Sequence, residues 1–184
     1  MTRVHLLPNA LTVTRVFLTP FCIYFLCTNH ILMSLSLFIL ASITDVLDGY
    51  FARKFNVASK IGAFLDPLAD KLLVVSVFVA FYYIYPDIVD IYILWMILFR
   101  DLFVTILRVI MELKGSTMIT SNLSKIKTTL QMSMIILVFL NSYLFINSGL
   151  LYYLVLGTSM LTFYTGLHYL FCNYKELRNM VLNK

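Results

Sequence analysis

The chain has 184 residues, of which 61% are hydrophobic and 12% charged, with a formal net charge of +5 and a mean hydropathy of +0.90. This suits one domain over 1–184 and excludes an ordinary soluble globule, where about a quarter of residues are charged. It also argues against a nucleic-acid partner, because the basic residues gather at the ends of apolar segments and form no solvated patch.

The predicted fold class is an all-α integral membrane protein with six transmembrane helices. Residues 1 to 8 carry Arg3 and His5 and read as a short interfacial segment ending at Pro8, with the first helix starting at Asn9 or Ala10. Apolar spans follow at about 10 to 28, 31 to 53, 61 to 85, 91 to 113, 122 to 146 and 149 to 172, each near the ~20 residues needed to cross hydrocarbon. Turn signals separate them: Asn29 with His30, the polar run Lys54 to Lys60, Pro86 with Asp87, Gly115 to Thr117, and Asn147 to Gly149. No removable signal peptide, internal repeat or second domain is expected. Cys22, Cys27 and Cys172 lack zinc-ligand spacing and read as buried free thiols.

Arginine and lysine fall at alternate connections. Arg3 and Arg15 flank the start of the first span; Arg53, Lys54, Lys60 and Lys71 surround the second connection; Arg108, Lys114, Lys125 and Lys127 surround the fourth; Lys175, Arg178 and Lys184 form the tail. Arg100 alone lies mid-span. By the positive-inside rule both termini face the cytoplasm. Tyr82, Tyr83, Tyr85, Tyr92, Trp95, Tyr152 and Tyr153 gather toward the opposite interface as an aromatic belt.

The stretch 44–70, TDVLDGYFARKFNVASKIGAFLDPLAD, concentrates acid where apolar residues otherwise prevail. Asp45 and Asp48 stand at i, i+3, and Gly62, Asp66 and Asp70 at i, i+4, i+8, so each set shares a helical face. An aspartate at mid-membrane costs roughly 2.5 to 3.5 kcal/mol on the insertion scale, so four of them point to a polar cavity shared with cations. Hard oxygen donors with no neighbouring His or Cys favour Mg2+ or Mn2+. Gly49 and Ala52 beside this face admit either close approach of a ligand or close helix packing.

The pattern D-x-x-D-G-x-x-A-R-x8-G-x-x-x-D-x-x-x-D is complete in Asp45, Asp48, Gly49, Ala52, Arg53, Gly62, Asp66 and Asp70. It resembles the signature of the CDP-alcohol phosphatidyltransferases, and eight fixed positions make a specific match. The resemblance implies two divalent cations, one on Asp45, Asp48 and Asp66, the other on Asp45, Asp66 and Asp70, with Asp70 also the proton acceptor. It further implies that Asn9, Thr12, Gly49, Ala52, Arg53, Ser59 and Gly62 bind the CDP-lipid. Asn9, Thr12 and Arg15 share one face of the first helix, although a helix cap and an interfacial arginine would look alike.

Arg100, Arg108, Lys125 and Lys127, with Thr128 and Gln131 nearby, are candidates for a pocket that binds the phosphate of the acceptor alcohol. Alternatively Arg100 pairs with Asp101 or a motif aspartate, and the lysines anchor topology. NALTVTRVFLTP, the Arg100–Asp101 pair and K-x-K-T-x-x-Q resemble the bacterial family branch whose acceptor is sn-glycerol 3-phosphate, apart from Asp101, where many relatives carry Glu. The implied reaction uses CDP-diacylglycerol and releases CMP at the cytoplasmic face of the bacterial inner membrane, among membrane lipids, in a homodimer. A phosphatidylglycerol acceptor, as in a cardiolipin synthase, is the neighbouring alternative. A cation transporter also uses intramembrane carboxylates but does not explain Gly49, Ala52 and Arg53.

Overall fold

The computed structural model describes residues 6–55, 60–113 and 122–174, with the backbone alone at 6–11, 45–55, 60–68, 70, 112–113 and 122–125. The described residues form helices and turns with no strand: α1 (Leu6–Cys27), α2 (Ile31–Phe55), α3 (Lys60–Ile84), α4 (Ile91–Leu113), α5 (Asn122–Leu144) and α6 (Ser148–Cys172). Five of the helices start within one residue of the expected position. The exception is α1, which begins at Leu6 and takes in Pro8. A proline in the first turn forgoes only an N–H that has no helical acceptor, so it does not force a later start. The helix expected to start at Asn9 or Ala10 therefore begins at Leu6; residues 1–5 of the expected interfacial segment lie outside the described residues.

Among the described residues one helix, Ser148–Cys172, is by itself long and apolar enough to cross a membrane. The described apolar stretches Thr12–Cys27, Ile31–Thr44 and Lys71–Ile84 are shorter, and α4 is interrupted by Arg100, Asp101 and Arg108. Large apolar side chains are exposed on all six helices, among them Phe17, Leu32, Tyr83, Trp95, Phe103, Ile126, Phe163 and Phe171. A water-soluble domain rarely leaves so much apolar surface uncovered.

Two compact units divide the chain, Met1–Ile84 and Tyr85–Lys184. In the first, α1 packs against both α2 and α3. Its buried stripe runs Thr12, Arg15, Thr19, Cys22 and Leu26, a helical repeat that keeps one face inward. Small residues let α1 and α2 approach closely: the Ser34 hydroxyl donates to the Cys22 carbonyl at 2.7 Å, and Cys22, Ser34 and Ala41 are fully buried. Asn29, at φ 62°, makes the turn between them, a left-handed conformation that asparagine tolerates. Cys22 matches the expected buried thiol, whereas Cys27 and Cys172 are exposed, the latter with its Sγ 3.6 Å from Nδ1 of His168 one turn earlier.

In the second unit α6 is the shared partner of α4 and α5. Asp90 caps α4 by accepting from the Ile93 amide at 2.7 Å. Its other oxygen accepts from the Tyr152 hydroxyl at 3.1 Å, fastening the start of α6 to the start of α4. Asn147 caps α6 through the amides of Gly149 and Leu150. Hydroxyls along the apolar helices are satisfied within their own turns, as at Thr19, Thr105, Ser133 and Thr162, each donating to the carbonyl four residues back. Local bonding removes the cost of an unpaired polar group away from water.

Candidate active site

The motif aspartates ride on two helices of the same unit. The backbone puts Asp45, Asp48, Gly49, Ala52 and Arg53 on the C-terminal half of α2, and Gly62, Asp66 and Asp70 on the N-terminal half of α3. The i, i+3 and i, i+4 relations read from the sequence are therefore real helical relations. The side chains of these residues, and all of Ser59, lie outside the described residues, as do the side chains of Asn9 and Lys125. Thr12 is buried on α1, in register with the buried Arg15 one turn later. No three His, Cys, Asp or Glu side chains come together among the described side chains, which do not include those of the four motif aspartates.

The second candidate cluster is described in full at its centre. Asp101 is completely buried on α4 and its Oδ1 receives two cations, NH1 of Arg100 at 3.0 Å and Nζ of Lys127 at 2.6 Å. Gln131, one turn beyond Lys127 on α5, reaches Oδ2 at 3.5 Å. NH2 of Arg100 donates to the Thr165 hydroxyl of α6 at 3.2 Å. Lys127 is 1% exposed and Arg100 7%, so three charged groups are held out of solvent among apolar helices. Such burial is tolerable only where opposite charges meet with good geometry. Among these side chains two cations meet one carboxylate, and the cluster favours an anion.

Of the four residues expected at the acceptor phosphate, Arg100 and Lys127 are brought together. Arg108 stands two turns farther along α4, half-buried, and shares no hydrogen bond or ion pair with them among the described residues. The alternative that Arg100 pairs with Asp101 holds, but the same carboxylate also collects Lys127. The sequence analysis singled out neither Thr165 nor Gly166 of α6, which lie against Arg100. Their signal was Ser159, Thr162 and Thr165 at three-residue steps in an apolar helix, all buried on one side.

A family model described as CDP-alcohol phosphatidyltransferase matches residues 5–164. The chain belongs to that family. The match spans every motif aspartate as well as Arg100, Asp101 and Lys127. Among curated relatives, the CDP-diacylglycerol–glycerol-3-phosphate 3-phosphatidyltransferase of Rickettsia typhi is 37% identical over 172 residues, covering 89% of this chain and 94% of the relative. The protein of the same description from Wigglesworthia glossinidia brevipalpis is 36% identical, covering 93% of this chain and 96% of its own. A probable cardiolipin synthase (CMP-forming) of Drosophila melanogaster is 40% identical over 98 residues, 53% of this chain and 30% of that one. CDP-alcohol phosphatidyltransferases are membrane-associated, and α6 is the described helix that meets that requirement unaided.

Proposed function

We propose that this CDP-alcohol phosphatidyltransferase transfers the phosphatidyl group of CDP-diacylglycerol to sn-glycerol 3-phosphate, yielding phosphatidylglycerol phosphate and CMP. The observation that carries this reading is the near full-length likeness to enzymes of that description. The partial match to a cardiolipin synthase ends well short of that coverage. A buried cationic cluster also suits a small phosphorylated alcohol better than a second neutral-tailed lipid.

In the reaction, the glycerol hydroxyl oxygen attacks the lipid-side phosphorus of the diphosphate. The new P–O bond forms as the bond to CMP breaks, the hydroxyl proton passes to Asp70, and CMP leaves as the phosphate anion. An aspartate suits this role because a carboxylate kept ionised beside positive charge still accepts a proton from a hydroxyl held within hydrogen-bond reach. Arg53 offers the diphosphate a planar fork of donors, with Ser59, Asn9 and Thr12 as further hydrogen-bonding groups. Gly49, Ala52 and Gly62 keep bulk away from the nucleotide. Arg100, Arg108, Lys125 and Lys127 receive the phosphate of the acceptor.

The donor set fits two divalent cations: four carboxylates, no imidazole or thiolate among them, carried on helices of one unit. Asp45, Asp48 and Asp66 would hold one Mg2+ or Mn2+, and Asp45, Asp66 and Asp70 the other. When bound, such ions neutralise the diphosphate and ease departure of the leaving phosphate. The same reading has all six helices crossing the bacterial inner membrane, with both termini and the aspartates cytoplasmic, supported by the lysine and arginine bias of alternate connections. Family resemblance supports a homodimer.

The test is direct. Purified protein in detergent, given CDP-diacylglycerol, Mg2+ or Mn2+ and labelled sn-glycerol 3-phosphate, releases CMP and labels the lipid phase. CMP release that requires phosphatidylglycerol and leaves the glycerol 3-phosphate label in the aqueous phase would convert the assignment to cardiolipin synthesis, and ion flux through liposomes without CMP release would replace it with transport.

A further inference from the structure

Arg100 is gripped from two directions, and one of them comes from α6. Thr165 already donates its hydroxyl hydrogen to the Thr162 carbonyl at 2.7 Å. Its oxygen is thus left as an acceptor, and NH2 of Arg100 donates to it. Because α6 itself aims that lone pair, the guanidinium meets a fixed acceptor 65 residues along the chain, while Asp101 fixes NH1.

Gly166 completes the arrangement. A Cβ at this position would stand 2.7 Å from Cγ of Arg100 and 3.6 Å from its Nε. The obstructed atom is the root of the side chain, so any added methyl displaces the whole arginine. Nε is buried yet has no hydrogen-bond partner, and an unused buried donor on a charged group is costly unless something takes it up.

We infer that Thr165 and Gly166 are positioning residues for the acceptor alcohol: α6 fixes the Arg100 guanidinium so that its unclaimed Nε donor serves an oxyanion of the phosphorylated substrate. The inference rests on the reading of Arg100 as an acceptor-phosphate residue. A role in helix packing alone would also use small residues on α6, but it would not distinguish one substrate from the other.

The experiment compares Thr165→Val, Thr165→Ser, Gly166→Ala and Arg100→Ala in the full-length enzyme, with KM measured separately for sn-glycerol 3-phosphate and CDP-diacylglycerol. Thr165→Val keeps the shape and removes the acceptor oxygen; it raises KM for sn-glycerol 3-phosphate by about fivefold to tenfold and leaves that for CDP-diacylglycerol unchanged. Thr165→Ser restores the parent value. Gly166→Ala gives the same selective rise, and Thr165→Val adds nothing on the Arg100→Ala background. If Arg100→Ala raises KM for sn-glycerol 3-phosphate while Thr165→Val and Gly166→Ala do not, positioning by α6 is wrong and the Arg100 reading stands. If Arg100→Ala itself changes neither KM, the Arg100 reading fails and takes the inference with it. Equal losses toward both substrates, or unrescued by serine, reduce α6 to a packing role and overturn the proposal. Should Gly166→Ala not fold, the isosteric Thr165→Val decides alone.

Discussion

The two units carry their charge in opposite ways. In Tyr85–Lys184 the buried acid and bases pair within the protein: Asp101 holds Arg100 and Lys127, and Gln131 and Thr165 add hydrogen bonds. In Met1–Ile84 the distinctive charges recur with one sign at helical intervals, Asp45 and Asp48 on α2, Asp66 and Asp70 on α3. Like charges on one helical face repel, so under the proposed function the α2 and α3 carboxylates take cations from outside, whereas the Asp101 cluster is assembled by folding alone. On that reading those carboxylates await metal, whereas the Asp101 cluster has its geometry before substrate arrives.

The contrast can be broken most sharply at Asp70. Asp70→Asn is expected to lower CMP release by about a thousandfold or more while leaving expression and the melting temperature in detergent near parental. EDTA should mimic this loss, and Mg2+ or Mn2+ should reverse it only in the parent enzyme. Retained turnover in Asp70→Asn would end the assignment of that carboxylate as proton acceptor.

Next in size is Asp101→Ala, which strands two buried cations without their counter-charge. A loss of about 3 to 5 kcal/mol in stability is expected, read as a fall in melting temperature that neither EDTA nor Mg2+ changes. A fall whose size, relative to the parent, changes with EDTA or Mg2+ would erase the distinction between the units.

A smaller effect sharpens the second site. Arg100→Ala should raise KM for sn-glycerol 3-phosphate about tenfold or more with little change for CDP-diacylglycerol. Arg108→Ala should do the same more weakly, because Arg108 is not built into the Asp101 cluster. The reverse ranking would shift the phosphate seat along α4. Smallest of all, Asp90→Ala removes the α4 cap and the Tyr152 tether, for about 1 to 2 kcal/mol of stability and no change in either KM.

Much of this was legible beforehand, for identifiable reasons. Helix positions followed from apolar runs and from Asn29, Pro86 and Asn147 as breakers, because helix formation and breaking are local matters. The family was legible because the aspartate motif that points to it lies within 26 consecutive residues of sequence. The start of α1 was misplaced because Pro8 reads equally as a stop or as a first-turn residue. Arg100 and Lys127 stood out as charges in apolar surroundings, but their common dependence on Asp101 spans 26 residues and two helices. No periodicity encodes such a contact. Thr165 and Gly166 were invisible for a related reason: a hydroxyl and an absent methyl acquire meaning only when an arginine from another helix lies against them.

Both cations meet at one atom, Oδ1 of Asp101. Positions 100 and 127 are consequently not free to drift independently, since a neutral residue at either one hands the whole carboxylate to the other and redirects it. Natural variants that exchange one base without a companion change should be rare, and engineering of a new alcohol preference should succeed only in libraries that randomise 100, 101 and 127 together.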